Sequence, residues 1–115
     1  MISAARVTWG EIAPHVTQSL QGEEEFFSKE IETGKSQAWK FKNKNLWMIT
    51  RSEGVELVIC CIEGQGLKDV ASGIIEAAKS SGFESIRFHT KRPALGRMLE
   101  SYGFKEQERI FNMGL

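Results

Sequence analysis

The chain has 115 residues, in which fifteen lysines and arginines balance fifteen aspartates and glutamates. This length predicts one domain, residues 1–115, that can bury a hydrophobic core, and zero net charge excludes a general affinity for nucleic acids or membranes. No apolar run is long enough to span a bilayer, and the first residues lack the pattern of a secretion signal. The composition therefore predicts a cytoplasmic globular protein.

The N-terminal third is predicted to form a short strand near Arg6–Trp9 and then two helices. The first helix lies near Glu11–Leu20 and begins at Thr8 or Gly10. Its apolar residues recur at helical spacing: Ile12, Val16 and Leu20.

The second helix is predicted over Glu23–Thr33. Phe27 and Ile31 are four residues apart and therefore share one face. Three glutamates in its first turn complement the helix dipole, and Gly34 can take the left-handed conformation that ends a helix.

Three strands follow the second helix. Gln37–Lys42, in which Trp39 and Phe41 alternate with lysines, and Leu46–Arg51 are joined by a hairpin turn. Val55–Ile62 is apolar on both faces apart from Glu56. We therefore expect this third strand to lie inside the sheet, with both faces covered.

The two cysteines of the chain, Cys60 and Cys61, are adjacent in that apolar strand. Successive side chains of a strand point to opposite faces, so we expect the two thiols on opposite sides of the sheet. They are interpreted as small apolar residues in a reducing compartment, not as a disulfide or a metal-binding pair.

Two segments of the C-terminal half end in the same way, with a glycine and then a phenylalanine. They are Leu67–Ser81 before Gly82, and Arg92–Tyr102 before Gly103. Each has apolar residues at helical spacing, and a left-handed glycine followed by an apolar residue is typical of a helix stop.

The first of these helices follows the strand Val55–Ile62 through the loop Glu63–Gly66. It leads to another strand that ends near Phe88, which predicts two parallel strands joined by a right-handed crossover. A strand, a glycine loop and a helix form an arrangement that binds the phosphates of cofactors, since the first amides of a helix are unpaired and carry the positive end of its dipole.

The order of elements over residues 37–113 resembles that of the GNAT superfamily of N-acetyltransferases. The best local match is Arg97–Phe104, which is similar to the helix, glycine and phenylalanine near the end of that fold. The whole chain also resembles short GNAT-related proteins of tailed phages and prophages. The resemblance implies a compact α/β fold with a mixed sheet and, because eleven residues follow Phe104, a shortened C-terminal hairpin.

In active members of the family, the loop after the fourth strand carries the motif Gln/Arg-x-x-Gly-x-Gly/Ala, whose amides hold the pyrophosphate of acetyl-CoA. The resemblance places this motif on Gly66–Ala71, where the final alanine agrees and Asp69 replaces the first glycine. It implies that Cys61–Glu63 offers strand backbone to the pantetheine arm. The implied site for acetyl-CoA, with no metal, comprises Cys61, Ile62, Glu63, Gly66, Leu67, Lys68, Asp69, Val70, Ala71 and Ser72.

Asp69 is the largest departure from the motif. Two unit charges 4 Å apart interact by about 1 kcal/mol in water and about 4 kcal/mol at an effective dielectric constant near 20, so a carboxylate facing a pyrophosphate weakens binding. The simpler interpretation is that Asp69 stabilises the first turn of the helix. Gly64 and Gly66 offer an alternative anion-binding loop one turn earlier.

No catalytic residue is assigned. The tyrosine that acts as general acid in the family corresponds to Leu99, and Tyr102 is expected to pack in the core with its hydroxyl at the surface. Glu56 and Glu63 are the candidate general bases. For both, an ordinary solvated or strand-edge carboxylate is the simpler interpretation.

Basic residues gather near the end of the last parallel strand: Arg87, His89, Lys91, Arg92 and Arg97. The carboxyl ends of parallel strands face the ligand crevice, so this basic group would meet a phosphate, an acidic substrate or a nucleic-acid backbone. A surface of mixed charge is the alternative. Three lysines near the hairpin tip are interpreted as solvated: Lys40, Lys42 and Lys44.

Three functions stay open. The first is an acyl-CoA-dependent N-acyltransferase that acts on an amine of a small molecule or a protein. The second is a GNAT-fold protein without catalysis that binds a phage protein, as an assembly, virion-associated or regulatory component in the host cytoplasm or on the virion. The third, and least favoured, is nucleic-acid binding through the basic group. The altered loop and the missing tyrosine favour the second function, and the strand-loop-helix arrangement favours the first.

Overall fold

A computed structural model describes residues 3–89, 97 and 99–104. Five strands form one sheet in the order β1-β2-β3-β4-β5. Their bounds are Ala4–Val7 (β1), Gln37–Phe41 (β2), Leu46–Glu53 (β3), Glu56–Gly64 (β4) and Ser85–Phe88 (β5). Neighbouring strands are antiparallel except β4 and β5, which are parallel. This mixed sheet confirms the predicted α/β class and the predicted parallel pair.

Within residues 3–89, four α-helices accompany the sheet. They are Trp9–Ile12 (α1), Thr17–Leu20 (α2), Glu24–Glu32 (α3) and Leu67–Ser80 (α4), with a 3-10 turn at Ala13–His15 between the first two. Arg97 and Leu99–Ser101 are also helical. Among the described residues, no helix is both long and apolar enough to cross a bilayer.

Helices cover the sheet on both faces. The N-terminal helices pack on one face and bury a first cluster, Ile12, Val16, Leu20, Phe27, Ala38, Trp47, Ile49 and Cys61. Helix α4 packs on the other face and buries a second cluster, Phe41, Leu46, Met48, Ile59, Ile62, Val70 and Ile74. Strand β4 contributes to both clusters, which confirms that it is an interior strand covered on both sides.

The N-terminal segment differs from its predicted bounds. The first strand is already complete at Val7, because Thr8 caps α1 by accepting a hydrogen bond at its Oγ1 from the amide of Glu11 at 3.2 Å. The single predicted helix is divided into α1, the 3-10 turn and α2, since Pro14 cannot continue an α-helix. The three apolar residues predicted to share its face are all buried: Ile12, Val16 and Leu20.

Helix α3 agrees with its prediction to within one residue at each end. Phe27 is buried in the first cluster, and Ile31 packs against that cluster from the same face. Gly34 has a φ of 80° and lies just beyond the helix, so it takes the left-handed conformation predicted for the stop.

Both predicted glycine-phenylalanine helix stops are present. The amide of Phe83 donates to the carbonyl of Ala78 at 3.1 Å, and the amide of Phe104 donates to the carbonyl of Leu99 at 3.2 Å. The glycine before each phenylalanine has a positive φ, 90° in the first stop and 95° in the second. The same Schellman hydrogen bond therefore closes both helices.

Strand β4 contains a bulge at Cys60. Ile49 of β3 pairs with Cys61, whereas the next residue, Thr50, pairs with Ile59, so Cys60 is an extra residue on β4. Both cysteines consequently pack against the first cluster. The expectation that the two thiols lie on opposite faces was wrong, because the extra residue interrupts the alternation of side chains.

The two cysteines are free thiols, one buried and one half-buried. Burial raises the pKa of the Cys61 thiol to about 12 and also raises the pKa of the Cys60 thiol, because a desolvated thiolate is unfavourable. In their packing they behave as the small apolar residues predicted from the sequence.

Some expectations lie outside the described residues. They concern the first residues of the helix predicted over Arg92–Tyr102, and the strand after Phe104 that would form the shortened C-terminal hairpin.

Candidate functional site

The candidate site lies where β4 extends beyond its parallel neighbour. The pairing with β5 ends at Ile59, which faces Phe88 and whose carbonyl accepts a hydrogen bond from the amide of His89 at 3.2 Å. Residues 61–64 of β4 continue beyond this point and, within the described part of the chain, pair with β3 alone. The bulge and this edge of backbone are adjacent in the strand.

The loop after β4 packs tightly against the β2–β3 hairpin. The amide of Gln65 donates to the carbonyl of Asn45 at 2.8 Å. Gly64 has a φ of 126°, and a Cβ there would overlap that same carbonyl oxygen. Gly66 has a φ of 95° and is the N-cap of α4. Both glycines are therefore required by the path of the backbone.

Asp69 in the first turn of α4 is directed toward the hairpin. Its Oδ2 accepts a hydrogen bond from Nζ of Lys44 at 3.1 Å, with 69% of the Asp69 side chain exposed and 31% of the Lys44 side chain exposed. Its amide donates to the carbonyl of Gly66 at 3.0 Å. The placement agrees with the interpretation of Asp69 as a first-turn residue, and Lys44 balances its charge.

Two of the three hairpin lysines make specific contacts, which corrects the expectation that all three are ordinary solvated residues. Nζ of Lys40 donates to the carbonyls of Phe41 and Lys44, each at 2.9 Å, and Lys44 reaches Asp69. Lys42 is exposed. Lys44 and Asp69 are 25 residues apart, so no local pattern in the sequence indicated that they meet.

The ten residues implied for acetyl-CoA lie on one strand-loop-helix unit. Residues 61–63 are near the end of β4, Gly66 caps α4, and residues 67–72 form its first turns. Four of the ten are buried: Cys61, Ile62, Val70 and Ala71. Three are exposed: Lys68, Asp69 and Ser72. A ligand along this unit would therefore meet backbone and exposed polar side chains.

Each candidate general base is held by neighbours. Oε1 of Glu63 accepts hydrogen bonds from the amide of Ser19 at 3.0 Å and from its hydroxyl at 2.9 Å. Glu56 pairs with Arg87 at 3.4 Å. Glu56 and Gly64 are the first and last residues of the nine-residue strand β4, and eight steps of extended backbone span about 26 Å. Of these two carboxylates, Glu63 is therefore the one close to the glycine loop.

Two residues of the last helical segment bear on the expected general acid, Leu99 and Tyr102. Leu99 is 8% exposed, so the position of the family's tyrosine is a core position, as predicted. Tyr102 is half-buried, and its hydroxyl donates to the backbone carbonyl of Lys68 at 3.2 Å. The tyrosine hydroxyl thus lies at the first turn of α4, a contact that the sequence did not indicate.

A ring contact next to Glu63 was also missed. The imidazole of His15 stacks on the indole of Trp47 with ring centroids 4.0 Å apart and an interplanar angle of 7°. Trp47 is the residue of β3 that pairs with Glu63. The contact depends on how the N-terminal helices pack on the sheet, and the sequence alone assigned His15 no role.

One member of the predicted basic group, Arg87, is paired with acidic neighbours. Arg87 forms ion pairs with Glu53 at 2.8 Å and with Glu56 at 3.4 Å, and the Arg87 guanidinium is the main cause that holds the pKa of the Glu53 carboxyl below its usual range. Arg87 therefore belongs to a surface of mixed charge. Two other members of the basic group, His89 and Arg97, are exposed. Lys91 and Arg92 lie outside the described residues.

Solved structures with the same architecture include several acetyltransferases. A ribosomal-protein-alanine N-acetyltransferase from Brucella melitensis biovar Abortus 2308 has a TM-score of 0.65 at 13% identity, over 99% of this chain and 100% of that one. A transcriptional regulator from Bacillus halodurans C-125 has a TM-score of 0.67 at 15% identity, over 100% of both chains. A Trypanosoma brucei acetyltransferase has a TM-score of 0.58 at 10% identity, again over 100% of both.

These likenesses agree with the GNAT-type fold predicted from the sequence. Their low identities make them evidence for the fold alone. A scan against protein-family models and a search of curated proteins found no match. The activity therefore has to be argued from the residues at the end of β4 and the start of α4.

Proposed function

We propose that this chain is an acyl-CoA-dependent N-acyltransferase that transfers an acetyl group to an amine of a small molecule or a protein. The observation that carries the proposal is the geometry at the end of β4: a bulge at Cys60, an edge of backbone beyond the last pair with β5, and a glycine loop that leads into α4. The acetyltransferase neighbours, with the same architecture over nearly the whole chain, support it.

The residues present fit acetyl-CoA in two places. The backbone of Cys61–Glu63 can hydrogen-bond the amides of the pantetheine arm as an added strand would. Within Gly66–Ser72, the N-terminus of α4 offers the amides that precede Asp69 and the positive end of a helix dipole to the pyrophosphate. Gly66 adds no side chain to this surface, and the side chain of Lys44 lies against it, 3.2 Å from the position that a Cβ would occupy. The negative charge of Asp69 is unfavourable for binding a pyrophosphate, and the ion pair with Lys44 neutralises that charge.

The chemistry that acetyl-CoA supplies when bound is an activated acyl group on a thioester. The chain's part is to align that group and to accept a proton from the amine. Glu63 is the candidate base of this proposal, because it is the carboxylate at the end of β4 and Ser19 fixes its orientation through two hydrogen bonds.

A second candidate function is a GNAT-fold binding protein without catalysis. It is favoured by Leu99, whose buried hydrocarbon side chain cannot donate a proton, and by Asp69 at the loop. In that case the partner would be a protein, and the likeness of the sequence to phage proteins makes a phage assembly or regulatory protein the first partner to test.

A thermal unfolding titration with acetyl-CoA tests the proposal. At 100 times its dissociation constant, a ligand adds about 2.7 kcal/mol to stability, which for a domain near this size raises Tm by roughly 10 °C. ATP, a charged nucleotide without the pantetheine arm, is the matched control and should give a smaller shift. Absence of a shift at millimolar acetyl-CoA would rule out the enzyme. A shift without release of CoA across a panel of amines would favour the second candidate.

A further inference from the structure

We infer that Lys44 is a phosphate-binding residue of the proposed acyl-CoA site, and that Asp69 is an internal competitor which occupies Lys44 until the ligand arrives. This inference rests on the proposed function and adds to it a residue from outside the strand-loop-helix unit. The β2–β3 hairpin, rather than the altered loop, would supply the positive charge.

Lys44 is placed directly over the start of α4. Its Cδ lies 3.2 Å and its Nζ 3.5 Å from the position that a Cβ on Gly66 would occupy. The side chain is only 31% exposed. The hairpin tip that carries it is fixed by Lys40, which donates to the backbone carbonyl of Lys44 at 2.9 Å. The ammonium group is thus held beside the backbone that the proposed function assigns to the pyrophosphate.

The charges around this point favour an exchange of partners. The ammonium of Lys44 and the N-terminal end of the α4 dipole are both positive, and Asp69 carries the negative charge between them. Asp69 is 69% exposed, so its carboxylate can rotate into water, and an exposed ion pair of this kind contributes little to stability. A pyrophosphate carries more negative charge than one carboxylate and can replace Asp69 as the partner of Lys44.

Binding of two ligands to three variants tests this assignment. The variants are Lys44→Met, Asp69→Asn and the matched control Lys42→Met, which removes an exposed lysine of the same hairpin. The ligands are acetyl-CoA and S-acetylpantetheine, which lacks the pyrophosphate. Lys44→Met should weaken acetyl-CoA binding about tenfold, within the range for one charge pair, and leave S-acetylpantetheine binding unchanged. Asp69→Asn should strengthen acetyl-CoA binding, and Lys42→Met should change neither.

Three results would overturn the assignment. One is acetyl-CoA binding that does not depend on Lys44. Another is equal weakening by Lys44→Met and Lys42→Met, which would indicate only a general effect of charge. The third is equal loss of both ligands in Lys44→Met, which would indicate a structural role. In the first case the proposed function stands although the inference fails.

Inorganic pyrophosphate tests the reverse case, in which the phosphate site exists but the proposed function is wrong. If pyrophosphate stabilises the wild-type protein but not Lys44→Met at matched ionic strength, while acetyl-CoA does not bind, the phosphate site stands and the proposed function fails. If neither pyrophosphate nor acetyl-CoA stabilises the wild-type protein, both are wrong.

Discussion

Replacement of Gly64 with alanine is expected to destabilise the protein by about 3 kcal/mol or more, near the upper end of single-residue effects. Gly64 has a φ of 126°, which residues with a side chain rarely adopt. A Cβ would also overlap the carbonyl oxygen of Asn45, and that oxygen is fixed because it accepts the hydrogen bond from Gln65. The end of β4 and the hairpin would have to move apart.

Gly82→Ala is the matched control for this substitution. Gly82 also has a positive φ, 90°, but apart from its chain neighbours no atom of the described residues lies within 4 Å of the position of its Cβ. The cost of the left-handed conformation alone is about 1–2 kcal/mol. Urea unfolding of the two variants compares them, and equal destabilisation would contradict the tight contact between the loop and the hairpin. Gly64→Ala should also weaken acetyl-CoA binding, whereas Gly82→Ala should not.

Phe41→Ala is expected to cost about 3–5 kcal/mol, the usual range for truncation of a buried phenylalanine. The Phe41 side chain is 0% exposed and belongs to the second cluster, between the sheet and α4. Its loss leaves a cavity beneath the helix that carries the candidate site. A calorimetric unfolding experiment should show a Tm lowered by roughly 15 °C or more.

Phe26→Ala provides the comparison, since Phe26 is 51% exposed and contacts Phe27 edge to face with ring centroids 5.1 Å apart. An exposed aromatic pair contributes about 0.5–1.5 kcal/mol, so this variant should lose far less stability. A Phe41→Ala protein as stable as Phe26→Ala would show that the second cluster does not support α4.

Much of the fold was accessible from the sequence because its signals are local. Apolar spacing located α4 almost to the residue, and the glycine-phenylalanine pairs predicted both Schellman stops. The proline that divides the first helix, Pro14, is also visible in the sequence, but the prediction rested on the apolar spacing of Ile12, Val16 and Leu20 and did not consider it. That spacing correctly predicted that the three residues are buried, but it wrongly predicted one continuous helix.

The bulge at Cys60 was not accessible in this way. A bulge is a mismatch of register between two strands, and neither β3 nor β4 shows it alone. The alternation of side chains along a strand therefore gave the wrong prediction for the two cysteines, which both face the first cluster.

The candidate site shows the same limit. The sequence identified Asp69 as an acidic residue at the start of α4, where the resemblance implied a glycine, but its partner Lys44 comes from a hairpin 25 residues away. The contact of Glu63 with Ser19 spans 44 residues. Contacts of this kind determine the charge of the site and the orientation of its side chains. They depend on how distant elements pack together, and no sequence motif indicates that packing.

The most direct test of the account is a titration of the ¹⁵N-labelled protein with acetyl-CoA, followed by the backbone amide signals. Acetyl-CoA should shift most strongly the amides of residues 61–63 and 66–72, with smaller changes in β1 and α1. The amide of Lys44 should also respond if its side chain exchanges Asp69 for the ligand. Shifts confined to other surfaces, or no shifts at millimolar acetyl-CoA, would contradict the acyl-CoA site at the end of β4.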